Sequence, residues 1–120
     1  MWQGPLKVRN MSNAELPPDL LASVAGRFKA LAEPTRLRLL QCLRGGEATV
    51  SDLVQRTGLT QANVSKHLQL LRTLGFVARR KEGLFAYYRL ADKDVFRLCD
   101  IMCGRLEREL KVRKRMLAGR

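Results

Sequence analysis

The chain has 120 residues, of which 46% are hydrophobic and 28% are charged. This length and composition fit one ordinary domain with a single core, and they exclude an intrinsically disordered chain. Lysine and arginine number 23 against 11 acidic residues, which gives a net charge of +12. A chain this basic is attracted to polyanions, of which nucleic acid is the commonest and an anionic membrane surface is another.

The first half of the chain is predicted to begin with two helices. Residues 1–17 end in a turn-rich stretch and are predicted to be a flexible N-terminal extension, while the folded domain is predicted to span residues 18–118. Apolar residues then recur at three- and four-residue steps, which is typical of a helix. A second helix is predicted to start at Pro34, with Glu33 favouring its positive end, and to stop at Gly45.

A tight turn separates the next two predicted helices. Thr49 followed by Asp52 resembles a capping box and opens a short third helix that ends at Gly58. Thr60 is the next predicted N-cap, and the fourth helix runs over residues 61–74. Two short helices joined by a glycine-containing turn are typical of a helix-turn-helix.

After the fourth helix the apolar period changes from helical to strand-like. Two strands, residues 76–81 and 84–90, flank a turn at residues 82–83 and predict a β-hairpin with a basic side. Asp92 or Asp94 is then predicted to cap a long last helix. The predicted fold is mainly α with a small β-hairpin, which is a winged helix-turn-helix.

The fourth helix carries the side chains expected to read DNA. Val64, Leu68 and Leu71 form one apolar stripe, so the other faces hold polar residues of the types that contact base edges and phosphates. Basic residues of the hairpin would straddle the neighbouring phosphate backbone. The single histidine has no partner for metal binding or catalysis, and it is expected to contact phosphate or pack under the hairpin. The predicted DNA contacts are Thr60, Gln61, Asn63, Ser65, Lys66, His67, Gln69, Arg72, Arg79, Arg80 and Lys81.

Three runs of the sequence resemble the ArsR/SmtB family of bacterial winged-helix repressors. They are residues 28–40 (FKALAEPTRLRLL), 62–68 (ANVSKHL) and 87–90 (YYRL). The resemblance covers residues 24–104 and implies a homodimer built from the first and last helices. It also implies an inducer that loosens the grip of the protein on a palindromic operator. The long apolar stripe of the last helix independently favours a dimer, and two-fold symmetry would place two recognition helices about one DNA turn apart.

Many members of this family sense metals, and their usual metal sites are altered here. Thr49 and Ser51 stand at the positions of the third-helix cysteine pair found in arsenic, cadmium and lead sensors. Arg105 and Arg108 stand where the histidines of the last-helix zinc or nickel site would lie. The resemblance therefore implies neither of these two sites.

The remaining candidate ligands are cysteines. Cys99 and Cys103 lie four residues apart on one face of the last helix, so their β-carbons are expected ~5–6 Å apart. An unstrained disulfide needs about 3.5–4.5 Å, whereas two sulfurs bridged by a soft ion or by added sulfur atoms would fit. Cys42 is a third candidate thiolate, and trivalent arsenic with three sulfurs is the natural ion by resemblance. A purely structural role is equally compatible with the pattern, because free cysteine is among the most buried residue types.

These features predict a sequence-specific DNA-binding repressor that releases its operator when cysteine thiols bind arsenite or another soft thiophilic ion. Two alternatives stay open: the same fold sensing a persulfide, an oxidant or no ligand, and a generic basic nucleic-acid-binding module without an inducer. We recognise no catalytic constellation, so an enzyme is not predicted. No run reaches the ~18 apolar residues of a membrane helix and no secretory region is recognised, so a cytoplasmic location is expected.

Overall fold

The computed structural model describes residues 15–119, and within that range it contains five helices and three strands. Residues 1–14, which make up most of the expected N-terminal extension, lie outside the described residues. The helices are α1 (Pro18–Leu31), α2 (Pro34–Leu43), α3 (Val50–Thr57), α4 (Gln61–Thr73) and α5 (Asp94–Ala118). The strands are β1 (Ala48–Thr49), β2 (Val77–Glu82) and β3 (Phe85–Leu90).

Side chains close the N-termini of the three central helices. The capping box predicted for α3 is confirmed, because Asp52 N donates to Thr49 Oγ1 at 3.1 Å and Thr49 N donates to Asp52 Oδ2 at 3.0 Å. Thr60 accepts from the backbone N–H of Asn63 and caps α4 as predicted. Glu33 caps α2 by accepting two backbone N–H bonds, which is a stronger role than the charge effect expected from the sequence.

The hairpin is present, but its turn lies one residue later than predicted. The turn consists of Gly83 and Leu84, and Gly83 has a φ of 62°, which favours glycine. Strand β1 was not predicted, because two residues are too short to show an alternating pattern. It pairs antiparallel with β3, so the sheet order is β1-β3-β2 and β2 is an edge strand.

The start of α5 also differs from the prediction. Lys93 occupies the N-cap position, and its side chain makes no capping hydrogen bond. Asp92, just outside the helix, accepts from Asp94 N at 2.8 Å. The bond expected from Asp92 therefore exists, but neither aspartate is the N-cap residue.

One core lies between the three central helices and the sheet. Helix α1 contributes one buried residue, Ala30, and the long helix α5 contributes two, Val95 and Phe96. The predicted apolar stripe of α4 is confirmed, since all three of its members are fully buried. The largest fully buried side chains are Leu39, Leu40, Leu43, Leu53, Val64, Leu68 and Leu71.

Candidate DNA-binding surface and cysteine pair

Helix α4 buries its apolar stripe and turns its polar faces outward. All of the residues predicted from the sequence to contact DNA are exposed except His67. The polar residues extend from the capped N-terminus of the helix at Thr60 to Arg72 in its last turn. An exposed helix face that carries amides, hydroxyls and cations has the chemistry needed to contact base edges and phosphates in the major groove.

The turn before α4 is held by an arginine that the sequence analysis missed. Arg38, on α2, donates to the backbone oxygen of Thr57 at 3.0 Å and to that of Arg56 at 3.3 Å. The Thr57 hydroxyl donates to Leu53 O and accepts from Leu59 N, which closes the turn from inside. Because the last carbonyls of a helix lack partners within it, these bonds fix the angle at which α3 meets α4.

His67 packs inward, at the start of α2. Its Nδ1 atom lies 3.3 Å from Arg36 Nη1 and 3.9 Å from Glu33 Oε2, and its side chain is only 14% exposed. Arg36 also donates to Ala30 O at 2.7 Å, which connects the end of α1 to the same cluster. The ring thus ties α4 to the junction between α1 and α2, a role that spacing along the sequence did not indicate.

The three basic residues of β2 divide between two faces of the sheet. Arg79 lies opposite the buried Tyr88 of β3, so it lies on the sheet face that packs on the core at the base of the hairpin, although Arg79 itself is exposed. Arg80 lies opposite Tyr87 in the neighbouring row and therefore faces outward. Lys81 returns to the side of Arg79. The structure thus separates Arg80 from the two cations that flank it.

Arg80 is also the member of this group that has acidic partners. Its guanidinium makes two hydrogen bonds to Glu47 and a third to Glu82. Within the part of the chain that the structure describes, Arg79 and Lys81 make no ion pair. Along β2, the neutralised Arg80 therefore lies between two cations that make no ion pair, Arg79 and Lys81.

Helices α1 and α5 present apolar faces to solvent. Phe28 of α1 is 56% exposed, and Ile101 and Met102 of α5 are 70% and 60% exposed. Within residues 15–119 no helix is long and apolar enough to cross a membrane. The exposed large apolar side chains of the two helices are Leu21, Phe28, Leu98, Ile101, Met102, Leu106, Leu110, Val112, Met116 and Leu117.

The three cysteines differ in their surroundings. Cys103 is exposed and Cys99 is half-buried, both on α5, whereas the half-buried Cys42 packs against the main core from α2. Burial raises the pKa of the Cys99 thiol, with further contributions from Cys103 and Asp100. Among residues 15–119 no three His, Cys, Asp or Glu side chains are grouped closely enough to hold a metal ion. Cys42 therefore does not join the other two thiols in one three-ligand group within a single chain.

A single ion pair connects the cysteine-bearing helix to the DNA-binding part among the described side-chain contacts. Arg44, the C-cap residue of α2, donates to both carboxylate oxygens of Asp100, at 3.2 and 2.9 Å. Its guanidinium also lies over the ring of Phe96, 4.6 Å from the centroid. The hydrogen bonds from Arg44 lower the pKa of Asp100 below its ordinary value.

Comparison with known proteins gives consistent matches. Residues 33–79 match the model of the family described as bacterial regulatory protein, arsR family. The probable mercury resistance operon repressor of Streptomyces lividans is 37% identical over 78% of this chain and 74% of its own length. The HTH-type transcriptional regulator NmtR of Mycobacterium tuberculosis is 40% identical over 77% of each chain.

A solved structure extends the likeness to the fold. The homodimeric winged helix-turn-helix DNA-binding domain Mb0332 of Mycobacterium bovis superposes with a TM-score of 0.70 at 36% identity. The match covers 82% of this chain and 94% of that domain. The winged helix-turn-helix predicted from the sequence is thereby confirmed.

Proposed function

Because this chain belongs to the ArsR/SmtB family of winged helix-turn-helix transcriptional repressors, we propose that it represses from a palindromic operator and that a thiol-bound inducer releases it. Proteins of this family are DNA-binding regulators and not enzymes. The inducer we propose is arsenite or another soft thiophilic ion, bound by Cys99 and Cys103. The observation that carries this proposal is that the two thiols flank Asp100, the residue that ties α5 to the DNA-binding part.

The homodimer supplies the geometry for a palindromic site. The open apolar faces of α1 and α5 bury little within one chain, so pairing them with a second copy would remove a large apolar area from water. A two-fold axis through these helices would present two copies of α4 about one DNA turn apart. We propose that the exposed polar residues of α4, together with Arg79 and Lys81, make the DNA contacts.

The thiol pair suits a soft ion better than a disulfide. Residues 99 and 103 lie on successive turns of α5, at a spacing of ~5–6 Å between β-carbons, and one sulfur is half-buried while the other is exposed. Two thiols condense with arsenite as As(OH)3 + 2 RSH → (RS)2AsOH + 2 H2O, with no change of oxidation state. A third thiol would displace the remaining hydroxide as water, and a cysteine of the second protomer would have to supply it, because Cys42 of the same chain is not grouped with the pair. The Streptomyces relative named for mercury resistance makes Hg²⁺ a second soft ion to test.

Ligand capture would reach the DNA-binding part through Asp100. Asp100 stands between the two cysteines, so drawing the two sulfurs toward one ion changes the helical turn that carries its carboxylate. Arg44, which Asp100 holds, ends the helix from which Arg38 controls the turn before α4. The proposed result is a weaker grip on DNA.

The test uses reduced protein, a labelled duplex of the DNA immediately upstream of its own gene and a random-sequence duplex of equal length. Arsenite and Hg²⁺ are added separately, and binding is followed by fluorescence anisotropy. We expect tighter binding to the upstream duplex, and release of the parent protein by at least one of the two ions. The variants Cys99→Ser and Cys103→Ser should bind DNA as the parent does and resist release.

Cys42→Ser is the matched control for a thiol that stands apart from the pair. If an ion still releases DNA from this variant, the site is restricted to the two thiols of α5, whereas loss of that response would add Cys42 of the second protomer as a third ligand. If arsenite or Hg²⁺ still releases DNA from both Cys99→Ser and Cys103→Ser, the two thiols do not form the inducer site. If neither ion releases the parent protein, the soft-ion inducer is wrong, and the same variants then test a persulfide and hydrogen peroxide.

A further inference from the structure

The Arg80 guanidinium on the outer face of the hairpin donates three hydrogen bonds within the protein. Its Nε and Nη2 atoms donate to the two oxygens of Glu47 at 2.8 and 3.0 Å, and Nη1 donates to Glu82. The same group lies over the ring of Tyr87, 4.5 Å from the centroid. A planar fork that is both bidentate and stacked is a geometry that arginine supplies and lysine does not.

This cluster spans the whole sheet. Glu47 directly precedes β1, Arg80 lies on the edge strand β2, and the central strand β3 with Tyr87 runs between them. The residue paired with Tyr87 on the far side is Thr49, the cap of α3. The contact therefore joins the hairpin to the segment that leads from α2 into the helix-turn-helix, while the hairpin tip at Leu84 is 99% exposed.

The electrostatics of the cluster oppose a phosphate contact by Arg80. Hydrogen bonds from Arg80 lower the pKa of Glu47, so its carboxylate stays charged at neutral pH. Two carboxylates neutralise the Arg80 guanidinium and occupy its donors, so this group is poorly placed to bind a phosphate as well, while Arg89 acts on Glu47 from the same face. Arg79 and Lys81, on the other face of β2, lie outside this cluster.

We propose that Glu47, Arg80 and Tyr87 form a brace that sets the orientation of the hairpin for DNA binding. Arg80 is then a positioning residue that does not touch DNA, and the hairpin contacts phosphates through Arg79 and Lys81. This assignment replaces the phosphate contact expected for Arg80 from the sequence. It rests on DNA binding by the family fold and is independent of any inducer.

The variant Glu47→Gln gives the sharpest test, because its two possible effects have opposite signs. Removing a negative charge from a protein ordinarily strengthens its binding to DNA. Loss of the brace should instead weaken binding by about threefold to tenfold, because the hairpin must then be ordered on the DNA. Glu107→Gln, an exposed acid on α5, is the control for the charge change alone.

A lysine at position 80 separates positioning from phosphate contact. Lysine still binds phosphate as a point charge, but it cannot reproduce the fork and the stacking. Arg80→Lys should therefore weaken binding as much as Arg80→Ala, with the dependence of log K on log salt unchanged. Arg79→Ala and Lys81→Ala should each make that slope shallower by about one. The double variant Glu47→Gln/Arg80→Lys should bind no more weakly than either single variant.

The affinities are measured on the duplex upstream of the gene and on a random-sequence duplex, with thermal unfolding by circular dichroism to confirm that each variant is folded. Parent-like binding by Arg80→Lys, with a shallower salt slope for Arg80→Ala, would show that Arg80 contacts phosphate and would overturn the brace. Tighter binding by Glu47→Gln, or no change from it, would overturn the brace as well.

Discussion

Two regions of this protein differ in how much of their apolar surface is buried within one chain. Helices α2 to α4 and the sheet enclose a core whose largest side chains are fully buried. Helix α5 has 25 residues but buries only Val95 and Phe96, and α1 buries only Ala30. The DNA-binding part therefore has a complete core within one chain, whereas the two flanking helices leave apolar faces exposed, which the proposed second copy would cover.

The basic residues also fall into two groups, those that bond within the protein and those available to DNA. Arg36, Arg38 and Arg56 donate to backbone oxygens at or near the ends of helices, and Arg44 joins α2 to α5. These four arginines hold helices together and, like Arg80, are not free to meet DNA. Net charge alone indicates an affinity for polyanions, but it does not distinguish these two uses.

The largest effect on stability is expected from a cavity in the core formed by helices α2 to α4 and the sheet. Leu68→Ala removes a fully buried side chain of α4 and should lower the free energy of unfolding by about 2–5 kcal/mol. The measurement is urea denaturation at a fixed protein concentration. Leu84→Ala, at the exposed tip of the hairpin, is the size-matched control, and an equal loss from it would mean that the effect of Leu68→Ala does not come from a core cavity.

The next effect concerns the region left incomplete. Ile101→Glu places a charge on the open face of α5, where burial without a partner costs about 3 kcal/mol or more. Dimer affinity should fall by roughly 100-fold or more in sedimentation equilibrium. Each released chain should keep its helical circular dichroism, because the core lies elsewhere. Unchanged association would mean that this face of α5 is not the interface.

A smaller effect is expected at the DNA-binding surface. Lys66→Ala removes one exposed cation from α4 and should weaken DNA binding about tenfold at low salt, with the slope of log K against log salt shallower by about one. Lys114→Ala, near the end of α5, removes the same charge and should leave the slope nearly unchanged. Equal slopes for the two variants would show that Lys66 does not contact a DNA phosphate.

The smallest effect is a pH dependence of the α3 cap. Hydrogen bonds from Thr49 lower the pKa of Asp52 in the folded protein. The cap therefore stabilises the fold above about pH 4 and loses this contribution as the pH falls through the lowered value. Asp52→Asn should unfold with a weaker dependence on pH between about pH 5 and 3. An unaltered profile would assign the acid sensitivity to other carboxylates, of which Glu33, Glu47 and Asp100 also have lowered pKa values.

Local patterns predicted most of the elements. The Thr49–Asp52 spacing predicted the capping box, and the stripe at Val64, Leu68 and Leu71 predicted which face of α4 is buried. These features depend on residues three or four positions apart, so a helix brings them together wherever it forms. Strand β1 was not predicted, because two residues are too few to show an alternating apolar pattern.

Local sequence patterns were enough to predict the order of the five helices and the hairpin, the caps of α3 and α4, the polar face of α4 and the thiol pair on one side of α5. Three contacts could be found only in the folded structure: His67 with Glu33, Arg80 with Glu47 and Arg44 with Asp100. The partners in each of these contacts lie more than 30 residues apart along the chain. A side chain's reach along its own helix or strand is set by local geometry, whereas contacts at such separations exist only after the whole chain has packed.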